Sequence, residues 1–204
     1  MDERSVRVLE FQKIKDKLKS LASTGIGKEL ATNIKPMSCI SEIQKRQKET
    51  TESKAILSAR NDISLGGVRE IRDIMSRVKI GGILAPSELL DVLSTLKTAK
   101  KLKESIEGLN LGFQVLKEHA EKITLHPYIV KEIERCIDNY GNILDDASPE
   151  LSKIRQQIRS INNRIRNSLD SIVKSQKFSS YLQDPIITLR SGRFVLPVKQ
   201  ESRA

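Results

Sequence analysis

The stretch SPELSKIRQQIRSINNRIRNSLDSIVKSQKF, residues 148–178, decides the fold. Ser148 is a preferred N-cap, Pro149 suits the first helical position and Glu150 favours the positive end of the helix dipole, so a helix is expected to start at Pro149. Leu151, Ile154, Ile158, Ile161, Ile165, Leu169 and Ile172 then recur every three or four residues. At 100° per residue they fall within roughly 80° of one another, a stripe closer to a coiled-coil seam than to a globular core face. Carried to about Phe178, the helix would span roughly 45 Å, too long for a compact domain of this size, and it is expected to project.

Charge is concentrated on the same arm. From Pro149 to Ala204 there are eleven Lys/Arg against four Asp/Glu, whereas residues 1–148 carry 25 against 22. A basic arm on a near-neutral body points to a polyanionic partner. On the helical wheel Arg155, Arg159, Arg166 and Lys177 lie within about 40° of each other, a basic row beside the seam. The competing reading is a solvated face that keeps the molecule soluble. Against it stands the scarcity of acidic partners, since Glu150 and Asp170 alone on the helix are too few to pair the row through i,i+4 contacts.

Beyond the helix, Ser191-Gly192 is a two-residue turn signal between Ile186-Ile187-Thr188-Leu189-Arg190 and Arg193-Phe194-Val195-Leu196, both rich in strand formers. The loop length sets Arg190 opposite Arg193, Leu189 opposite Phe194, Thr188 opposite Val195 and Ile187 opposite Leu196, with Ile187, Leu189, Phe194 and Leu196 on one apolar face. Two arginines directly opposite cost on the order of 0.2 to 1 kcal/mol, a cost that a bound phosphate would reverse. A lone hairpin is marginal in water and Pro197 limits its outer pairing, so further strands are expected beyond Ala204, as they would be in the N-terminal part of a longer protein.

The run Leu144-Asp145-Asp146-Ala147-Ser148-Pro149-Glu150-Leu151, the Ile/Arg-patterned helix, Tyr181-Leu182-Gln183-Asp184-Pro185 and Gly192-Arg193-Phe194-Val195-Leu196-Pro197-Val198-Lys199 resemble the bacterial MutS-II family. So do Arg7-Val8-Leu9-Glu10-Phe11 with Ile14 and Leu18, Gly66-Gly67 before Arg69-Glu70-Ile71-Arg72, and Gly81-Gly82-Ile83-Leu84 before Glu88-Leu89-Leu90. The resemblance covers essentially the whole chain. It implies a mainly α fold: a helical core over 1–142, a lever helix over 143–182, and over 183–204 a β-hairpin that begins a clamp sheet. It further implies that a full-length member adds a returning lever helix, a dimerising ATPase domain using ATP and magnesium, and an Smr-type endonuclease domain. Such proteins are described as ATP-dependent DNA-binding suppressors of recombination and as factors that bind and split stalled ribosomes, which would make DNA or rRNA the partner. The expected contacts to nucleic acid are Arg155, Arg159, Arg166, Lys177, Arg190, Arg193 and Lys199.

The remainder reads as a helical body. Leu9, Phe11, Ile14, Leu18 and Leu21 predict a first helix that breaks near Thr24-Gly25-Ile26-Gly27, with a short second one ending by Lys35-Pro36. Ser41 and Gln44 have capping-box spacing and open a polar helix to about Ala59. Val68, Ile71, Ile74 and Val78 predict a fourth, and Pro86 a fifth whose Leu89, Leu93, Leu96 and Ile106 read as one stripe. Two more run from about Phe113 to Lys122 and Pro127 to Ile137, and a turn at Asn139-Tyr140-Gly141-Asn142 ends the body.

Several chemistries are set aside. Gly25-Ile26-Gly27-Lys28 lacks the earlier glycine and the following Ser/Thr of a phosphate-binding loop, and reads as a helix-breaking turn. Cys39 and Cys136 have no metal-ligand spacing, fit a reducing cytoplasm, and are expected in or beside the core. His119 and His126 sit in no catalytic constellation, and Asp145-Asp146 reads as a dipole-stabilising pair rather than a metal site. With 3% aromatic residues and no Trp, contact to nucleic acid would be to phosphates, not by stacking. No stretch approaches a membrane span. The alternative to a nucleic-acid clamp segment is a coiled-coil adaptor in which Leu151 to Ile172 pairs with another helix and the arginines only solvate it.

Overall fold

In the computed structural model, which describes residues 3–59, 63–109 and 112–202, the chain divides into two compact units, Met1–Ile143 and Leu144–Ala204. The molecule is mainly helical, with a β-hairpin near its C-terminus, as the sequence predicts.

The first unit holds α1 (Glu3–Val8), α2 (Phe11–Leu21), α3 (Gly25–Asn33), α4 (Ile40–Ala59), α5 (Arg72–Lys79), α6 (Pro86–Glu107), α7 (Gln114–Glu121) and α8 (Pro127–Cys136). Its organiser is α6. Leu93 packs with Ile133 and Ile137 of the α8 region, while Ile106 packs with Ile56 of α4 and Ala120 of α7. Thirteen residues separate Leu93 from Ile106, which at 100° per residue puts them about 140° apart on the wheel. The single stripe expected on this helix is therefore two faces serving two clusters. At its start, Glu88 accepts a 2.8 Å hydrogen bond from the Ala85 N–H, one half of a capping box, and also pairs with Arg77.

Helix boundaries follow caps more closely than periodicity. Glu10 adopts φ 50° and interrupts the expected first helix, giving α1 and α2. Thr24 accepts a 3.0 Å hydrogen bond from Gly27 N, so the Gly25-Ile26-Gly27 segment is the capped first turn of α3 and not merely a break. The capping box expected at Ser41 does not form: α4 already begins at Ile40, and the Ser41 hydroxyl lies 3.2 Å from Cys39 Sγ. That contact holds the Cys39 thiol below its ordinary pKa. Cys39 is exposed, contrary to the expected core or boundary position, whereas Cys136 packs beside the Leu93 cluster. Val68 and Ile71 fall before α5 and not within it. There Gly67 approaches α6 so closely that a Cβ would collide with Thr98, while its carbonyl accepts from Ser94 Oγ at 2.8 Å. The closing turn is pinned by Asp138, whose carboxylate accepts from Tyr140 N, Asn142 N and Asn142 Nδ2.

The second unit runs from a 3-10 turn (Asp145–Ala147) through α9 (Pro149–Lys174) and α10 (Gln176–Ser179) to β1 (Thr188–Arg190), β2 (Arg193–Val195) and a 3-10 turn (Gln200–Ser202). Ser148 caps α9 as expected, accepting from Leu151 N at 3.1 Å. The helix has 26 residues, about 39 Å at 1.5 Å per residue. It stops sooner than its periodicity predicts. Ser175 turns extended at ψ 127°, and its carbonyl accepts from Phe178 N and Ser179 N to start α10. The Ser175 side chain makes no capping hydrogen bond, so the new start is carried by its backbone carbonyl.

Candidate nucleic-acid interface

The hairpin forms in the register that its loop length dictates: Thr188 opposite Val195, Leu189 opposite Phe194, and Arg190 opposite Arg193. Ser191 and Gly192 have φ 48° and 75°, the two positive angles of a type I′ turn, whose twist matches the strands it joins. The ladder ends one pair earlier than predicted, before Ile187 and Leu196. A second short pairing replaces it across a gap that contains Pro185. Gln183 N donates to Pro197 O and Lys199 N to Tyr181 O, each at 3.0 Å, with Leu182 bridged to Val198. Leu182 is the buried residue of this joint. Pro197 thus contributes its carbonyl to the pairing although it has no N–H to give.

At the tip, Arg190 and Arg193 are exposed, face each other, and have no ion pair among the described residues. Lys199 is tied at the other end of the hairpin, its Nζ donating to Ser180 O at 2.9 Å. Lys177 sits on α10, beyond the Ser175 break, with Nζ 5.6 Å from the Phe178 ring centroid. It therefore does not continue the α9 row as expected. The remaining row is Arg155, Arg159 and Arg166, of which Arg166 is exposed and has no ion pair among the described residues.

Sequence reasoning missed the counter-ion. Arg155 Nη1 donates to Asp145 Oδ1 at 2.7 Å and Arg159 Nη1 to Asp145 Oδ2 at 3.1 Å. The Arg155 bond, and then that from Arg159, holds the Asp145 carboxyl below the usual aspartate value. The partner comes from the 3-10 turn before the N-cap, so a search for i,i+4 carboxylates on the helix overlooks it. Its signal was present in the sequence: an acidic pair lying just outside a helix N-terminus, with Asp145 10 and 14 residues before two arginines that are one turn apart on the same side.

Beside the row, the apolar seam is solvent-facing, with Ile154, Ile158 and Ile161 at 53%, 52% and 53% exposure. No helix among the described residues is long and apolar enough to cross a membrane.

No family model matches the chain. Among curated proteins it is similar over its whole length to endonuclease MutS2 of Geobacillus sp. (strain WCH70), 43% identical over 206 residues. It is 39% identical over 204 residues to endonuclease MutS2 of Symbiobacterium thermophilum, and 35% over 207 residues to putative endonuclease MutS2 of Bacillus subtilis (strain 168). In each case the match covers 26% of the relative, so the chain spans about a quarter of the length of these proteins. Identity at this level from end to end makes the chain a match to one segment of the endonuclease MutS2 proteins, the MutS-II family that its sequence resembles.

Proposed function

We propose that this chain is a segment through which a MutS-II protein holds nucleic acid by its phosphates, Arg190 and Arg193 at the hairpin tip making the first contacts and Arg159 and Arg166 of α9 the next. The observation that carries this reading is the Arg190–Arg193 pair. Two like charges are held face to face by backbone register, and no carboxylate among the described residues offsets them. A phosphate placed between two guanidinium groups turns that repulsion into charge-assisted hydrogen bonds. Contacts of this kind carry no base information, so binding would be sequence-independent and strongly salt-dependent.

In a full-length member this grip would serve an ATP-dependent DNA-binding protein of the cytoplasm that suppresses recombination, and one that engages rRNA on stalled ribosomes and splits them. ATP, magnesium, dimerisation and strand cleavage would belong to the rest of such a protein. The names of the relatives, endonuclease MutS2, support the nucleic-acid half of the reading.

The test is duplex-DNA and RNA binding by the 204-residue chain across a salt series, with Arg190→Gln/Arg193→Gln as the variant. Loss of two phosphate contacts should lower affinity and reduce the slope of log K against log salt by about 1.8 for B-DNA. An unchanged slope would refute the assignment. The exposure of Ile154, Ile158 and Ile161 favours a second reading, a coiled-coil adaptor. In that case the wild-type chain binds polynucleotide negligibly, and Ile158→Glu changes the oligomeric state alone.

A further inference from the structure

A second face of the first unit combines an apolar groove with unpartnered positive charge, and nothing in the phosphate-binding reading uses it. The groove lies between α2, α3 and the start of α4, has a volume of about 730 Å3, and is floored by Leu18, Leu21, Leu30, Ala31, Ile34 and Met37. Leu21 and Leu30 are 74% and 65% exposed, so the groove is open along much of its length. On α2, Phe11, Ile14, Leu18 and Leu21 share about 80° of the wheel, and Lys15 and Lys17 flank that arc at about 40° on either side. Lys35 and Arg46 line the groove further along.

The charges around it are unbalanced. Three of the nearby acids are engaged by cations, Glu10 with Lys13, Glu29 with Arg72, and Glu49 with Arg46 and His119, while Asp16 accepts from Gln12 and lies beside Lys19 and Lys28, away from the apolar arc of α2. Lys15, Lys17, Lys19, Lys28 and Lys35 have no ion pair among the described residues. An occupant must therefore supply both apolar side chains for the floor and carboxylates for the rim.

We infer that this groove is a docking site for an acidic amphipathic helix of a partner protein, with leucine-like side chains at i, i+3 or i+4 and i+7 on its floor and Glu or Asp facing the lysines. Concavity selects a helix over a membrane surface, which would lie against a convex amphipathic face. The apolar floor selects protein over nucleic acid, because a phosphate backbone has nothing to place on leucines. A second copy of this chain offers the wrong charge, since its long exposed stripe on α9 is bordered by Arg155, Arg159 and Arg166.

The experiment is fluorescence anisotropy of the 204-residue chain with two synthetic fifteen-residue helical peptides sharing one leucine pattern, one flanked by Glu and one by Lys. The Glu-flanked peptide is expected to bind at least tenfold more tightly. Leu30→Glu should weaken it at least tenfold, and Lys17→Glu/Lys35→Glu should remove the preference, each with unchanged helical circular dichroism because these side chains are exposed. Equal binding of the two peptides, no binding of either, or binding indifferent to both variants overturns the proposal. So does direct binding of duplex DNA or of phosphatidylserine vesicles that competes with the Glu-flanked peptide on the wild-type chain and is itself lost in Leu30→Glu, which would assign the groove to those surfaces instead.

Discussion

Asp145 accepts from two guanidinium groups at once and so offsets part of the positive charge on α9. Exchanging it for Asn keeps the shape but withdraws the anion. In the phosphate-binding reading, Asp145→Asn is expected to raise nucleic-acid affinity severalfold and steepen the salt slope by up to about one phosphate contact's worth, 0.9 units; titration at several salt concentrations measures both. Gly192 is the other residue on which the site depends. Its φ of 75° is one that only glycine adopts without strain, and a Cβ there would meet open space, so the cost of Gly192→Ala is purely conformational. A loss of about 1 kcal/mol is expected in the hairpin alone. Faster amide exchange at Arg190 and Arg193, with the helices unaffected, is the readout. Both residues were legible in the sequence to different degrees. Ser191-Gly192 announces its turn and its register, whereas the partner of an acidic residue outside a helix depends on where the side chains land.

At the level of elements, α4 and α7 are joined by a buried carboxylate as well as by Ile56 and Ala120. Glu52 lies within α4, is 5% exposed, and accepts from Leu116 N in the first turn of α7 at 2.9 Å. It thus caps from another helix an N–H that α7 cannot satisfy itself. Glu52→Ala would strand that donor in the interior, and a loss of about 1–3 kcal/mol is expected, measured by urea unfolding followed by circular dichroism. Nothing in the polar sequence of α4 distinguishes Glu52 from Glu49 three residues earlier, which is why its role was not visible beforehand. The two-faced α6 was hidden for a related reason. Periodicity records which positions are apolar, but a helix contacted on two sides spreads those positions around its circumference and its stripe loses definition. For α9 the reverse holds, and a seam with nothing packed on it kept a clean pattern. Its end at Ser175 escaped because a single serine outweighs neither the periodicity before it nor the helix formers after it.

For the molecule as a whole, exposed carboxylates tuned by neighbouring cations set the response to acid. The Arg72 guanidinium, through its hydrogen bonds, lowers Glu70 to about 2, and Glu132 and Asp145 are likewise held down, first by hydrogen bonds from Arg135 and Arg155 respectively. A folded-state pKa below the unfolded value means that the stabilisation is complete above the unfolded value, about 4 for these carboxylates. It is lost as pH falls through the lowered one. Melting temperature is therefore expected to be flat from about pH 7 to 5 and to decline below about pH 4, modestly because exposed pairs contribute little each. Thermal melts across that range check it, and a midpoint rising towards acid would contradict it. What the sequence determined by itself was local: the helix start at the Ser-Pro cap, the hairpin register, the apolar seam, and the charge of the C-terminal arm. Each follows from residues within a turn or two of one another, where backbone geometry leaves few choices. The tertiary structure alone decided which carboxylate answers which arginine, which glutamate is buried, and how α6 divides between two cores. Those outcomes depend on contacts between residues far apart in the chain, and one-dimensional spacing does not encode them.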